Sequence, residues 1–191
     1  MRAETAKKGT EHVTSYVARM INQSVFGEGK YVLNLYEKFP ATIVSNNEVT
    51  IGSGAGLING CFFFNEKNEV DSLTIGNGTQ GMLRKDLIVA RYTIDTSGNE
   101  EVSAVVIQGT PAASSPETPA YYEGDIQDGD TQVDFPLYEV YINGITLESV
   151  TPLFEVSDHI WNLVNRIHSG TAEPTNDIGQ DGDIYIRLLT E

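Results

Sequence analysis

Apolar residues recur along this chain in short runs, and Asn and Gly cut those runs at close intervals. That rhythm predicts strands joined by tight turns rather than long helices. Asn46-Asn47, Ser97-Gly98-Asn99 and Asn143-Gly144 each stand between runs rich in Val, Ile, Leu, Tyr and Phe. Tight hairpins need positive φ at the turn, which Gly and Asn tolerate and β-branched residues resist. The pattern predicts strands over 31–36, 41–45, 48–52, 57–64, 70–75, 86–95, 101–108, 135–142, 145–153 and 183–189. The pair 86–95 and 101–108 is the strongest of these. Leu87, Val89, Arg91 and Thr93 should face one way, and Ile88, Ala90, Tyr92 and Ile94 the other.

Two stretches carry a helical period instead. Thr14 can cap a helix over 14–26, with Val17, Met20, Ile21 and Val25 near one stripe and Gly27 as the stop. Ser157 can cap a second over 157–168, with Ile160, Leu163, Val164 and Ile167 on one face. The expected fold is therefore mainly β: an antiparallel, hairpin-built sandwich or barrel-like domain with two short helices. The expected organisation is a polar arm over 1–11, a β-rich domain over 12–154 and a helix-strand appendage over 155–191. Residues 109–124 hold Pro111, Pro116 and Pro119 among Ser, Thr and Ala. Such a segment breaks strands; it is either a linker or a connection whose later strands rejoin the same sheet. No repeat of fixed period occurs, which argues against a propeller, a solenoid or a long β-helix.

Composition narrows the function classes. The 191 residues are 40% hydrophobic and 20% charged, enough for a real core. No apolar run approaches the length of a bilayer span, and the N-terminus lacks the apolar stretch of a secretory signal. A single cysteine, Cys61, cannot form a disulfide within the chain and suits a reducing cytoplasm. The net charge of −15 is uneven: residues 1–110 carry −2, whereas residues 111–191 carry −13, with Arg166 and Arg187 as their only bases. Nucleic-acid binders gather Lys and Arg on one face, so neither nucleic acid nor an anionic membrane is an expected partner.

Motif by motif, the chemistry is sparse. GSGAGLING at 52–60 lacks both the G-x-G-x-x-G spacing and a following helix, so it reads as a structural turn. Ser53 has Ile51 where a nucleophile elbow needs Gly. Cys61 lies among aromatics with no base nearby, the setting of an inert thiol. His12, His159 and His168 have no zinc spacing. No catalytic group and no cofactor is expected, and the protein reads as a non-enzyme. Asp125, Asp128, Asp130 and Asp134, with Gly129 for a sharp turn, are the candidate calcium ligands, although their spacing is not that of an EF-hand. Tyr121 and Tyr122 beside Glu123 are the candidate carbohydrate contact, since aromatic faces next to carboxylates suit sugars.

Several segments together resemble a family of baseplate or tail-tip structural proteins of tailed bacteriophages and prophages of Gram-positive hosts. They are HVT at 12–14, VFGEGKYVL at 25–33, FPATIVSNN at 39–47, IGNGTQGM at 75–82 with Arg84, and DLIVARY at 86–92. GTPAA at 109–113 and FPLY at 135–138 continue the series. GTAEP at 170–174 and GQDGDIYI at 179–186 look like a short element found at the ends of tail-fibre-like proteins. The resemblance implies a virion part made in the host cytoplasm, an assembly or adaptor protein of the baseplate, with other tail proteins as partners. The runner-up it implies is a receptor-binding protein that holds host-surface polysaccharide. It further implies a homo-oligomer, a trimer, with Ile160, Leu163, Val164 and Ile167 as the contact if they form a helix on a molecular axis.

Overall fold

The computed structural model describes residues 13–158, 166–175, 178–179 and 182–189. The chain divides into a larger unit, Met1–Val156, and a smaller one, Ser157–Glu191.

In the larger unit, helix α1 (Ser15–Phe26) comes first, and its ends follow the sequence closely. The Thr14 hydroxyl accepts the Val17 N–H at 3.3 Å, and Gly27 stops the helix at φ 87°. The strands then form three sheets. One has the order β11-β1-β4-β5, from β1 (Lys30–Leu33), β4 (Gly54–Ile58), β5 (Cys61–Asn65) and the two-residue β11 (Val156–Ser157). A second has the order β2-β3-β6, from β2 (Ala41–Ser45), β3 (Glu48–Ile51) and β6 (Asp71–Thr74). The third and largest has the order β10-β9-β7-β8, from β7 (Leu83–Ile94), β8 (Glu100–Ile107), β9 (Gln132–Asn143) and β10 (Thr146–Pro152). Each pairing with a defined register in these sheets is antiparallel. The second and third sheets meet edge to edge, β10 beside β2 and β6 beside β8, which gives a half-barrel. Its core draws on every sheet: Val32 and Ile58 from the first, Val49 and Ile51 from the second, Ile88 and Tyr92 from the third.

Three local features required more than strand propensity. The run at 57–64, expected as one strand, is two. Asn59 (φ 47°) and Gly60 (φ 84°) make the paired positive φ of a two-residue hairpin turn, so β4 and β5 face each other across it. The glycines before that turn lie inside β4. A Cβ on Gly56 would sit 2.5 Å from the Phe63 ring, so the missing side chain is what admits the ring. The third feature is Pro136, which lies in the middle of a central strand. The β7/β9 register shifts between Ile88 and Val89, opposite Tyr138 and Pro136, and a bulge is where a central strand accepts a residue with no N–H.

The expected facing of 86–95 is observed, and both faces are buried. Ile88, Ala90 and Tyr92 enter the core, while Leu87 and Val89 on the other face are 0% exposed. That second face is crossed by 109–124. Ala112 bridges Leu83, the Thr118 hydroxyl donates to Glu139 at 2.7 Å, and the Asp134 N–H donates to the Tyr122 carbonyl at 2.8 Å. The Pro-rich segment is a strap over the large sheet rather than a linker.

The smaller unit pairs β12 (Ile167–Gly170) with β13 (Ile184–Arg187) in parallel, Ile167 opposite Ile184 and His168 opposite Tyr185. Asp183 gathers His168 Nε2 at 3.0 Å and Arg166 Nε at 3.3 Å. The helix expected over 157–168 is corrected at both ends: Ser157 belongs to β11, and Ile167 and His168 open β12. β-branched Ile167 finds a cross-strand partner in Ile184, and such pairing outweighs the cost-laden nucleation of a short isolated helix. Ile160, Leu163, Val164 and His159 lie outside the described residues, as do His12 and the arm over 1–11.

Candidate functional site

Strand β7 carries an ion pair near each end. Arg84 and Asp86 alternate with Ile88 on the core face, and both are sealed from solvent, at 2% and 0% exposure. The guanidinium holds the carboxylate with two bonds, Nε to Oδ1 at 2.8 Å and Nη2 to Oδ2 at 2.9 Å. It also donates to the carbonyls of Gly76 (2.6 Å) and Asn77 (2.8 Å), while Asp86 accepts the Gly109 N–H at 2.9 Å. Every partner is internal, so the pair is a staple: it ties the loop after β6 and the start of the strap to β7. The loop passes so close to the β9/β10 turn that a Cβ on Gly78 would lie 1.9 Å from the Gly144 carbonyl oxygen. The glycine-dense IGNGTQGM segment is thereby explained as close backbone packing.

At the other end of β7, Ile94 pairs with Glu100, and Glu100 meets helix α1. Arg19 Nη1 donates to Glu100 Oε1 at 2.6 Å, and Nε donates to Gln127 Oε1 at 2.7 Å. Asn22 and Gln23 donate to the carbonyls of Gly60 and Asn59. The helix therefore docks by its polar side. Its apolar side looks outward: Tyr16 is 54% exposed, Met20 48%, Ile21 53% and Val25 60%. An amphipathic helix on a globular domain normally does the reverse. Beneath this end, burial and the neighbouring Glu100 push the Tyr92 hydroxyl up to about 12.

Strands β5 and β8, each at the end of its sheet, both contribute residues to an open trough of about 380 Å³. Phe39, Phe63 and Leu137 lie in it, with Phe39 stacked on Phe63 at 5.4 Å. Glu101 and Asp71 stand among its lining residues. Cys61 is there too, and burial raises its thiol above the ordinary value.

Three of the four aspartates proposed for calcium have employments of their own. Asp134 is 0% exposed and takes both Arg91 Nε (2.7 Å) and Nη2 (2.9 Å), plus the Tyr122 N–H at 3.0 Å. Asp125 caps the short 3₁₀ turn Ile126–Asp128 through the Gln127 N–H, and Asp130 accepts the Asp125 N–H at 2.9 Å. Among the described residues, no three His, Cys, Asp or Glu side chains group as a metal would require. Tyr121 and Tyr122 lie at the end of the strap. Tyr122 is 58% exposed, with the Arg91 guanidinium 5.4 Å from its ring centroid. Tyr121 is less open, and burial together with Glu123 raises its hydroxyl.

Sequence reasoning missed the trough and the buried staple. The Asn59-Gly60 dipeptide signalled the turn that creates β5, and Arg84 and Asp86 two apart in an apolar strand signalled a paired charge on one face. No family model, no curated protein and no solved structure matches this chain.

Proposed function

We propose that this chain is a structural part of a phage or prophage-derived baseplate or tail tip, an assembly or adaptor protein that is built in the host cytoplasm and works in the virion. The resemblance of its sequence segments supports the virion location. The observation that carries an assembly role is helix α1, anchored by Arg19, Asn22 and Gln23 while Tyr16, Met20, Ile21 and Val25 face out. The only charged residue of the helix, Arg19, is turned inward, so its outer face is an uncharged apolar surface on a chain of net charge −15. Such a surface is where copies of an acidic protein can meet without opposing like charges. The reading includes a homotrimer, with α1 rather than the late segment as its contact. Gold-labelled antibody against this chain, imaged on purified particles, tests the location: label on the tail tip is expected, and label on free protein alone rejects it. Light scattering at micromolar concentration tests the assembly: a mass near three times 20.9 kDa is expected, and a mass of 20.9 kDa that is unchanged on dilution rejects it.

A second reading, host-surface glycan binding, is favoured by the outward Tyr122 ring beside Arg91 and Glu123. A glycan array decides it: saturable binding that is lost in Tyr121→Ala and Tyr122→Ala selects this reading, and an array without signal removes it.

A further inference from the structure

Strands β5 and β8 end their sheets: among the described residues no further strand pairs with the outer edge of β5, and β8 lies beside β6 without forming a ladder with it. Both edges line the same trough. Their free backbone groups turn away from the paired strands by register. The two-residue turn at Asn59-Gly60 makes Ile58 and Cys61 a hydrogen-bonded pair, so Phe62 and Phe64 turn their N–H and C=O away from β4. On β8, the Asp95 N–H bonds the Asn99 carbonyl, and the Ile94 N–H bonds Thr131 on the β9 side. The same alternation then turns the N–H and C=O of Val102 and Ala104 away from β7. β5, Cys-Phe-Phe-Phe-Asn, carries none of the charges or prolines that normally blunt an edge, and Phe62 and Phe64 are 47% and 50% exposed.

We propose that this trough takes an extended segment of a different polypeptide of the same assembly as an added strand between β5 and β8. The repeat of outward N–H and C=O groups along both walls is matched by a polypeptide and not by a sugar or a small planar ligand. Five residues of β5 span about 17 Å, which sets the length of the segment. Its apolar side chains face Phe39, Phe63 and Leu137, and basic residues flank them against Glu101 and Asp71. The carboxylates of Asp71 and Glu101 in the lining favour a cationic segment over the edge of a second copy, which would bring the same carboxylates. The proposal deepens the assembly reading and rests on it for the source of the partner, while its chemistry follows from the trough alone.

A displayed library of random heptapeptides, selected on the purified full chain, tests it. Enrichment of peptides with alternating apolar residues and Lys or Arg at their ends is expected. One such peptide, synthesised with a fluorophore, should bind at least tenfold more weakly to Phe64→Pro. That substitution removes an outward N–H from an exposed edge position and leaves the pairing of Phe63 and Asn65 with β4 in place. Phe64→Lys, which keeps the N–H, should retain backbone binding, and circular dichroism of both variants verifies the fold. The bound peptide should also slow the reaction of Cys61 with a thiol reagent. No enriched peptide, binding unchanged in Phe64→Pro, or a self-associated form that Phe64→Pro dissociates would each overturn the proposal. Because the experiment uses isolated protein, its failure leaves the particle-labelling result standing.

Discussion

The two ends of strand β7 invert the ordinary partition of residues in opposite ways. At its start, Arg84 and Asp86 are charged and buried. At its end, α1 is apolar and exposed. The first inversion is resolved inside the chain, because each charged atom of the pair finds a donor or acceptor on β7, the loop after β6 or the strap. The second is not resolved among the described residues. Its polar contacts fix the orientation of the helix, and that orientation forces the apolar side outward. A buried charge with all its partners is therefore a statement about this fold, whereas the exposed apolar face of α1 has no such partner among the described residues.

Breaking the first end should have the largest effect. Arg84→Met removes four hydrogen bonds and strands Asp86 in the core, with an expected loss of about 3–5 kcal/mol in denaturant unfolding. A double variant that also makes Asp86 apolar should recover part of that loss; recovery of none of it would mean the loop carbonyls, not the carboxylate, are what Arg84 serves.

Tyr92 reports on the end beneath α1. Its hydroxyl is raised to about 12 in the folded chain, above its ordinary value of 10. The folded state therefore holds the proton that the unfolded state gives up first. The stability linked to Tyr92 is complete below pH 10 and declines as the pH rises from 10 toward 12, by about 2–3 kcal/mol in all. Tyr92→Phe should flatten that part of the stability-against-pH curve, and an unchanged slope would place the alkaline loss on other groups.

Gly78→Ala forces a Cβ against the Gly144 carbonyl and should cost about 1–3 kcal/mol, read as a lowered melting temperature. The smallest effect on stability belongs to the far end. Met20→Ser with Ile21→Ser touches only the outer face of α1 and should change unfolding free energy by about 0.5 kcal/mol or less. The same pair should nonetheless lower the mass seen by light scattering to 20.9 kDa, and a mass that does not change would remove α1 as the contact. A change large in assembly and small in stability is the mirror of Arg84→Met, and it sharpens the contrast between the two ends.

Local chemistry made several elements legible in the sequence. Thr14 and Gly27 fixed the bounds of α1, and the hairpin over Asn46-Asn47 was expected with the bounds that β2 and β3 show apart from a residue at the end of β3. The alternation along 86–94 correctly divided core from outer face. The end of the late segment was misread because Ile at helical spacing also suits a strand, and partners seventeen residues away, Ile184 to Arg187, decide which forms at Ile167 and His168. The glycines of β4 read as a turn because sequence does not display the Phe39 and Phe63 rings that need their space.

By itself, then, the sequence determined the β character of this protein, the places of most of its turns, the bounds of α1 and the acidity of its surface, since each rests on backbone preference or charge within a few neighbours. The tertiary structure alone decided that the Pro-rich segment straps the large sheet, that Arg84 meets Asp86 within reach of Gly76 and Gly109, that α1 turns its apolar side out, and that β5 and β8 open toward one trough. Those outcomes depend on contacts between residues far apart in the chain, where hydrogen bonds of buried groups and the shapes of packed rings, rather than local propensity, select the arrangement.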